Sequence, residues 1–336
     1  MDSAEYSKRE PGSRGGKAGR ALLRLALIAA GTYLTMVIML ALMQRSLTYF
    51  PFRQSRITPA DSGLPAGQVH DIQMRSHDGL ALHGWHVLPA GRTAQSAEQA
   101  DRELQAGGPV ALYFSGNGGN RAYRGEELQL LAEAGCHVLL FDYRGYGENP
   151  GKPSEANLVA DALTAWQYAT ETRGVAPARI LLYGESLGCA VAVRLAAELH
   201  ATQSAPAGLI LRSAFSSLAD VGAYHYPWLP VRLLMIDRYD SARHIRSVRS
   251  PILQIHGARD TIIPLRFGQR LFAAAPERSA EGIPKRFVEL PYADHNDVIF
   301  AHPREYREAV REFLEELQLA TDGKAALNNK PPKSTY

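Results

Sequence analysis

The sequence predicts an α/β protein, with a mostly parallel sheet carrying helices on both faces and one transmembrane helix at the N-terminus. Three observations carry this. From residue 110 to residue 319, short apolar runs of strand length alternate with stretches of helical period. The short runs are apolar throughout, as strands covered on both faces must be. Near the N-terminus, residues 25–43 form a run of 19 residues without a charge.

That run reads LALIAAGTYLTMVIMLALM. At 1.5 Å rise per residue it spans roughly 28 Å, close to a bilayer core of about 30 Å. It is apolar all round and flanked by basic residues, which a buried core helix does not need. A signal peptide would be shorter and end in a small-residue cleavage site, whereas Gln44 and Arg45 follow here. The expectation is an uncleaved signal anchor. Five Lys/Arg lie in residues 8–20, with Arg24 beside them, against Arg45, Arg53 and Arg56 after the run. This bias places the N-terminus in the cytoplasm and the large domain on the far side, the periplasm in a Gram-negative cell. Tyr49, Phe50 and Phe52 suit an aromatic belt at the interface, or contact with the domain that follows.

Residues 68–89 alternate in the strand manner around Asp78-Gly79, which predicts a hairpin. Residues 91–108 are polar and Gly-bounded, a loop. Strands are expected at 110–114, 137–142, 179–184, 208–212, 251–257 and 286–290. Helices are expected at 122–134, 154–172, 187–200, 265–275 and 303–319. Residues 218–248, with Tyr224, Tyr226, Trp228, Leu233 and Met235, form a short insertion. It reads as a small cap over an acyl pocket or as simple packing on the domain. The organisation is then a basic segment 1–24, the anchor 25–43, one domain over 46–318 and a disordered tail 321–336 rich in Lys, Asn and Pro.

Charge narrows the function. Residues 1–24 hold six basic and three acidic side chains, so of the chain's 37 basic and 34 acidic residues 31 of each remain. A balanced domain lacks the footprint of a nucleic-acid binder. Cys136 and Cys189 are too few for a disulfide framework and read as buried thiols.

The chemistry centres on Gly184-Glu185-Ser186-Leu187-Gly188, a G-x-S-x-G between an apolar strand and an apolar helix. A sharp strand-to-helix turn strains the serine backbone, and side chains at the two glycines would clash. The helix N-terminus helps to stabilise charge developing beside Ser186. A serine hydroxyl needs a base, and the base a carboxylate to orient it, in the chain order Ser, acid, His. His295 lies in Tyr292-Ala293-Asp294-His295-Asn296-Asp297, directly after the last strand. His256 ends the preceding strand and reads as structural, and His302 as a capping residue. His83 and His86 point to opposite faces of a strand and make a poor metal pair. Asp260 follows the strand before that of His295, which suits the orienting acid; Asp294 and Asp297 are alternatives, and an N-cap is the bland role for Asp260. The oxyanion donors are then the Leu187 amide and one from Ser115-Gly116-Asn117-Gly118-Gly119-Asn120, where Asn117 is the choice. The same loop suggests a phosphate cradle, but it matches neither G-x-x-x-x-G-K-[ST] nor G-x-G-x-x-G.

With these residues in place, the chain resembles the α/β-hydrolases, in the membrane-anchored branch of the Bem-type and ABHD-type serine hydrolases. The likeness covers roughly residues 46–318. It includes Phe141-Asp142-Tyr143-Arg144-Gly145-Tyr146-Gly147, Ser213-Ala214-Phe215-Ser216-Ser217 and Asp240-Ser241. The resemblance implies the α/β-hydrolase fold and, in some members, protein depalmitoylation. Where the family has His-Gly-Asn at the oxyanion loop, this chain has Ser115-Gly116-Asn117; a backbone donor survives that change. The expected function is a membrane-anchored serine hydrolase acting on a small-molecule or lipid-like ester or thioester, with no metal and no cofactor. A peptidase with the same triad is the alternative, and a non-catalytic scaffold on the same fold is a competitor from another class.

Overall fold

The computed structural model describes residues 14–202 and 204–328. They fall into two compact units divided between Gln44 and Arg45. The first is the greater part of helix α1 (Arg14–Thr48), within which Gly19–Thr48 is long and apolar enough to cross a membrane.

The second unit is built on one sheet of eight strands. They are β1 (Val69–Arg75), β2 (Ala81–Val87), β3 (Val110–Phe114), β4 (His137–Phe141), β5 (Ile180–Glu185), β6 (Gly208–Arg212), β7 (Ile252–Gly257) and β8 (Arg286–Leu290). Their spatial order is β1-β2-β4-β3-β5-β6-β7-β8. The hairpin β1–β2 is antiparallel in the register Val69↔Val87 to Arg75↔Ala81, around the expected Asp78-Gly79 tip. β2 also runs antiparallel to β4, and every other pairing is parallel. Strands β3 to β7 are buried at every position, which is why their sequences are apolar runs.

Helices cover both faces and split the core in two. On one face α4 (Glu155–Gln167), α5 (Leu187–Ala201) and α9 (Leu265–Ala274) pack with Leu112, Leu182 and Leu211 of the sheet. On the other, α3 (Gly125–Glu133) and α11 (Pro303–Asn328) pack with Tyr113, Tyr183 and Ile255. The insertion folds as α6 (Leu218–His225), α7 (Val231–Leu234) and α8 (Ser241–His244).

Two expectations change. Within the expected loop 91–108, residues Ala97–Ala106 form helix α2, capped by Ser96, whose hydroxyl accepts from the Gln99 amide at 3.3 Å. The Ser-x-x-Gln spacing was a start signal, masked by the polar composition around it. The tail expected from residue 321 is helical to Asn328, as the continuation of α11, and residues 329–336 lie outside the described residues. The basic segment 1–24 is helical from Arg14, and its earlier part lies outside the described residues. The three aromatics after the apolar run divide: Tyr49 is buried in the domain core, while Phe50 and Phe52 are exposed. Both cysteines are buried and unpaired, and burial pushes the Cys136 thiol up to about 12.

Candidate active site

Parallel strands place their C-terminal ends in a row, and the turns that leave them hold the candidate residues. Ser186 sits between β5 and α5 with φ 49° and ψ −110°. A non-glycine residue there carries about 1–3 kcal/mol of strain. The flanking glycines permit the turn. A Cβ at Gly188 would stand 1.9 Å from the Phe114 carbonyl oxygen, and one at Gly184 2.6 Å from Cys189 Cα. The Ser186 amide donates to the Arg212 carbonyl at 2.8 Å, tying the turn to the next strand.

His295 follows β8, and its Nε2 lies 3.1 Å from Ser186 Oγ. Its Nδ1 lies 2.7 Å from Asp260 Oδ2. Asp260 follows β7 and is buried; its other oxygen accepts from the Ile262 and Ile263 amides at 3.0 and 2.6 Å. Burial works to raise the Asp260 pKa, but the hydrogen bonds from His256 and His295 outweigh it and hold the carboxyl well below the usual range. An ionised Asp260 requires Nδ1 of His295 to carry the proton, which leaves Nε2 as an acceptor facing Ser186.

The other candidates take supporting positions. Asp260 is not a helix cap, since Pro264 is the cap of α9. Asp294 instead fastens the two loops together: its Oδ1 accepts from the Thr261 amide at 2.8 Å and from the His295 amide at 2.7 Å. Asp297 accepts from the Asp294 amide at 2.6 Å. His256 is structural, bonded through Nε2 to the Ile263 carbonyl at 2.9 Å. His302 pairs with the Pro291 carbonyl at the entry to α11. His86 is buried against His137 while His83 faces outward, so the two do not converge.

The loop after β3 brings Asn117 to the site as a fixed residue. Its side chain donates to the Thr48 carbonyl and accepts from the Tyr146 hydroxyl at 2.9 Å. The Gly116 amide is engaged by the Glu185 carboxylate. Among the described residues, neither the Asn117 nor the Leu187 amide donates to another backbone group outside regular elements.

Sequence reasoning missed the charge network beneath this loop. Glu185 is buried and accepts from the Tyr113 hydroxyl at 2.5 Å. It pairs with Arg212 at 2.7 Å and with Arg124 at 3.5 Å, and Arg212 reaches Glu127 at 3.1 Å and the His295 carbonyl at 3.4 Å. Burial alone would raise Glu185, but Arg124 and then Arg212 bring it down to about 2, so it stays ionised. The unsatisfied-charge rule was the available signal: a Glu inside a buried turn needs a cation.

Residues 121–239 match the family described as serine aminopeptidase, S33. An uncharacterized protein of Mycobacterium tuberculosis is 43% identical over 292 residues, covering 87% of this chain and 93% of that one. The chain belongs to the α/β-hydrolase superfamily, in its ABHD-type branch. Within that superfamily, the lysophosphatidylserine lipase ABHD12 of Danio rerio is 32% identical over 250 residues, 68% of this chain and 64% of that one. Among solved structures, an esterase of Pyrococcus furiosus shares the α/β-hydrolase fold with a TM-score of 0.57 at 20% identity, covering 80% of this chain and 98% of that one. An α/β-hydrolase from Vibrio vulnificus does so with a TM-score of 0.57 at 18% identity, covering 76% and 88%.

Proposed function

We propose that this hydrolase cleaves an ester or thioester of a lipid-like acyl substrate through an acyl-enzyme, while anchored in a membrane by residues 25–43. The observation that carries the reading is the unbroken relay from Ser186 Oγ through His295 to an ionised Asp260, at 3.1 and 2.7 Å. Ser186 Oγ attacks the acyl carbonyl as its proton passes to His295 Nε2. The imidazolium that forms is stabilised by Asp260 at Nδ1. The carbonyl oxygen becomes an oxyanion held by the Asn117 and Leu187 amides, the latter at the N-terminus of α5; a donor of this kind is worth about 10²–10³ in rate. His295 then returns the proton to the leaving alkoxide or thiolate. Water repeats the sequence and frees the acid. The substrate class is supported by the similarity to the lysophosphatidylserine lipase ABHD12.

The description of the matched family as an aminopeptidase favours a second reading, an amidase with the same residues. A graded screen of p-nitrophenyl esters, acyl thioesters and aminoacyl anilides in detergent separates the two. The primary test is labelling with a fluorophosphonate, wild type beside Ser186→Ala. Labelling of the wild type alone is expected, with turnover falling by at least about 10⁴-fold in the variant. A folded wild type that takes no label sinks the hydrolase reading. Proteolysis of intact spheroplasts tests the membrane orientation: a large domain on the non-cytoplasmic side is digested, and one that stays shielded reverses the assignment.

A further inference from the structure

The first stretch of the hydrolase unit, residues 45–52, runs alongside the oxyanion loop and bonds to it residue by residue. The Thr48 carbonyl accepts from Asn117 Nδ2. Phe50 and Pro51 form a short parallel ladder with Gly118 and Gly119. The Phe52 carbonyl accepts from Asn120 Nδ2 at 3.3 Å and from the Gly147 amide at 3.0 Å. Every position from 117 to 120 thus meets this strap.

The strap is itself fixed from behind. Tyr49 is only 3% exposed, within the core cluster that holds Tyr143, Tyr146 and Tyr239. Its hydroxyl donates to Asp237 Oδ2 at 3.1 Å and shares a 2.8 Å hydrogen bond with Tyr239. Arg45 Nε reaches the same Asp237 oxygen at 3.0 Å. Across the loop, the Tyr146 hydroxyl donates to Asn117 Oδ1 at 2.9 Å, so the Asn117 side chain is held from two sides.

A loop containing Gly116, Gly118 and Gly119 has wide backbone freedom, and fixing each residue costs about 1–2 kcal/mol. An oxyanion donor is useful only when its direction is set before the reaction, since a misplacement of about 1 Å removes much of its effect. The loop is held at Ser115 by the Tyr143 hydroxyl at 3.0 Å and at Gly118 by Arg124, and at Asn117 itself by the Thr48–Asn117–Tyr146 bridge beside the ladder. We infer that residues 45–52 are a positioning element for the oxyanion loop, aiming the Asn117 amide at the acyl oxygen. The segment that leaves the apolar helix is then a wall of the active site rather than a tether. The inference rests on the hydrolase reading.

The test uses the full chain in detergent with a p-nitrophenyl acyl ester. Asn117→Asp keeps the shape but cannot donate to Thr48, and Tyr146→Phe removes one hydroxyl from the other side. Asn117→Asp is expected to lower kcat about tenfold or more with KM within about twofold, and Tyr146→Phe to do the same more weakly. Affinity for an alkyl trifluoromethyl ketone, whose adduct with Ser186 carries an oxyanion, should fall in proportion to kcat/KM. A stabilising contact with no positioning role predicts a lower Tm with kcat per labelled site intact, and that result overturns the inference. Unchanged kinetics in both variants overturn it too. If the wild type takes no fluorophosphonate, the hydrolase reading fails first and takes the inference with it. A labelled and active wild type beside unaltered variants removes the inference alone.

Discussion

The acid–base side of the site is fastened by groups close to it in sequence, whereas the oxyanion loop is fastened by groups far away. Asp260 is gripped by amides two and three residues on, and Asp294 accepts from the amide of its own neighbour, His295, while reaching across to the Thr261 amide of the Asp260 loop. Asn117 depends on Thr48, 69 residues earlier, and on Tyr146, 29 residues later. A tight turn at a strand end is specified by the few residues that form it, so it forms wherever the strand stops. A glycine-rich loop specifies little by itself and takes its shape from what packs on it. The first side is therefore the less sensitive to changes elsewhere in the chain, with Arg212, which bonds the His295 carbonyl, as its distant support.

Asp260→Asn attacks the locally built side and, after the loss of Ser186 itself, carries the largest effect expected. The amide favours the wrong His295 tautomer, and kcat should fall about 10³–10⁴-fold with the fold intact. The same residue has a pH signature. Its folded pKa is depressed, so its ionised form contributes stability fully above the ordinary carboxylate range and loses it as pH falls through the lowered value. The stability gap between wild type and variant, measured by denaturant titration, should therefore shrink below about pH 4. A gap that stays constant down to pH 2 contradicts this account of Asp260.

How much of this was legible in the sequence follows the same division. The strands showed because burial on both faces makes them continuous apolar runs, and Ser186, Asp260 and His295 showed because each occupies a turn after a strand. Helix α2 was missed because its polar residues hide a Ser96 cap that only three positions reveal. Arg212 was missed for a deeper reason. Nothing near it in sequence tells that its guanidinium faces Glu185, 27 residues back, and Glu127, 85 residues back. Asn117 was selected as a backbone donor, but the strap that holds its side chain became visible only with the sheet assembled.

Arg212 joins the two sides, since it bonds the Glu185 carboxylate that engages the Gly116 amide and also the His295 carbonyl. Arg212→Met leaves the buried Glu185 and the partly buried Glu127 facing Arg124 alone. A loss of about 3–5 kcal/mol is expected, together with lower kcat. Adding Glu185→Gln restores the charge balance, one cation to one anion, and should recover much of the stability without recovering turnover. Equal recovery of both would mean that the network is only a stabilising pair and joins nothing.

The smallest effect on turnover is expected at the opposite end of the sheet, where His137 begins β4 and its Nδ1 shares a 3.0 Å hydrogen bond with Nε2 of His86 on β2. Burial is the main cause that lowers both rings, His86 well below its ordinary value and His137 to about 4. The unfolded chain then binds more protons than the folded one between about pH 6.5 and 4, so stability is complete above that window and declines as pH falls through it. Each such ring adds a slope of up to about 1.4 kcal/mol per pH unit. His137→Gln should flatten the decline and leave kcat at pH 7 unchanged, because the pair touches neither the relay nor the strap. Measured stability from pH 7 to pH 4 and kcat at pH 7 decide it together. A variant with the wild-type slope shows that the pair titrates normally, and one with altered kcat shows that the far end of the sheet reaches the site.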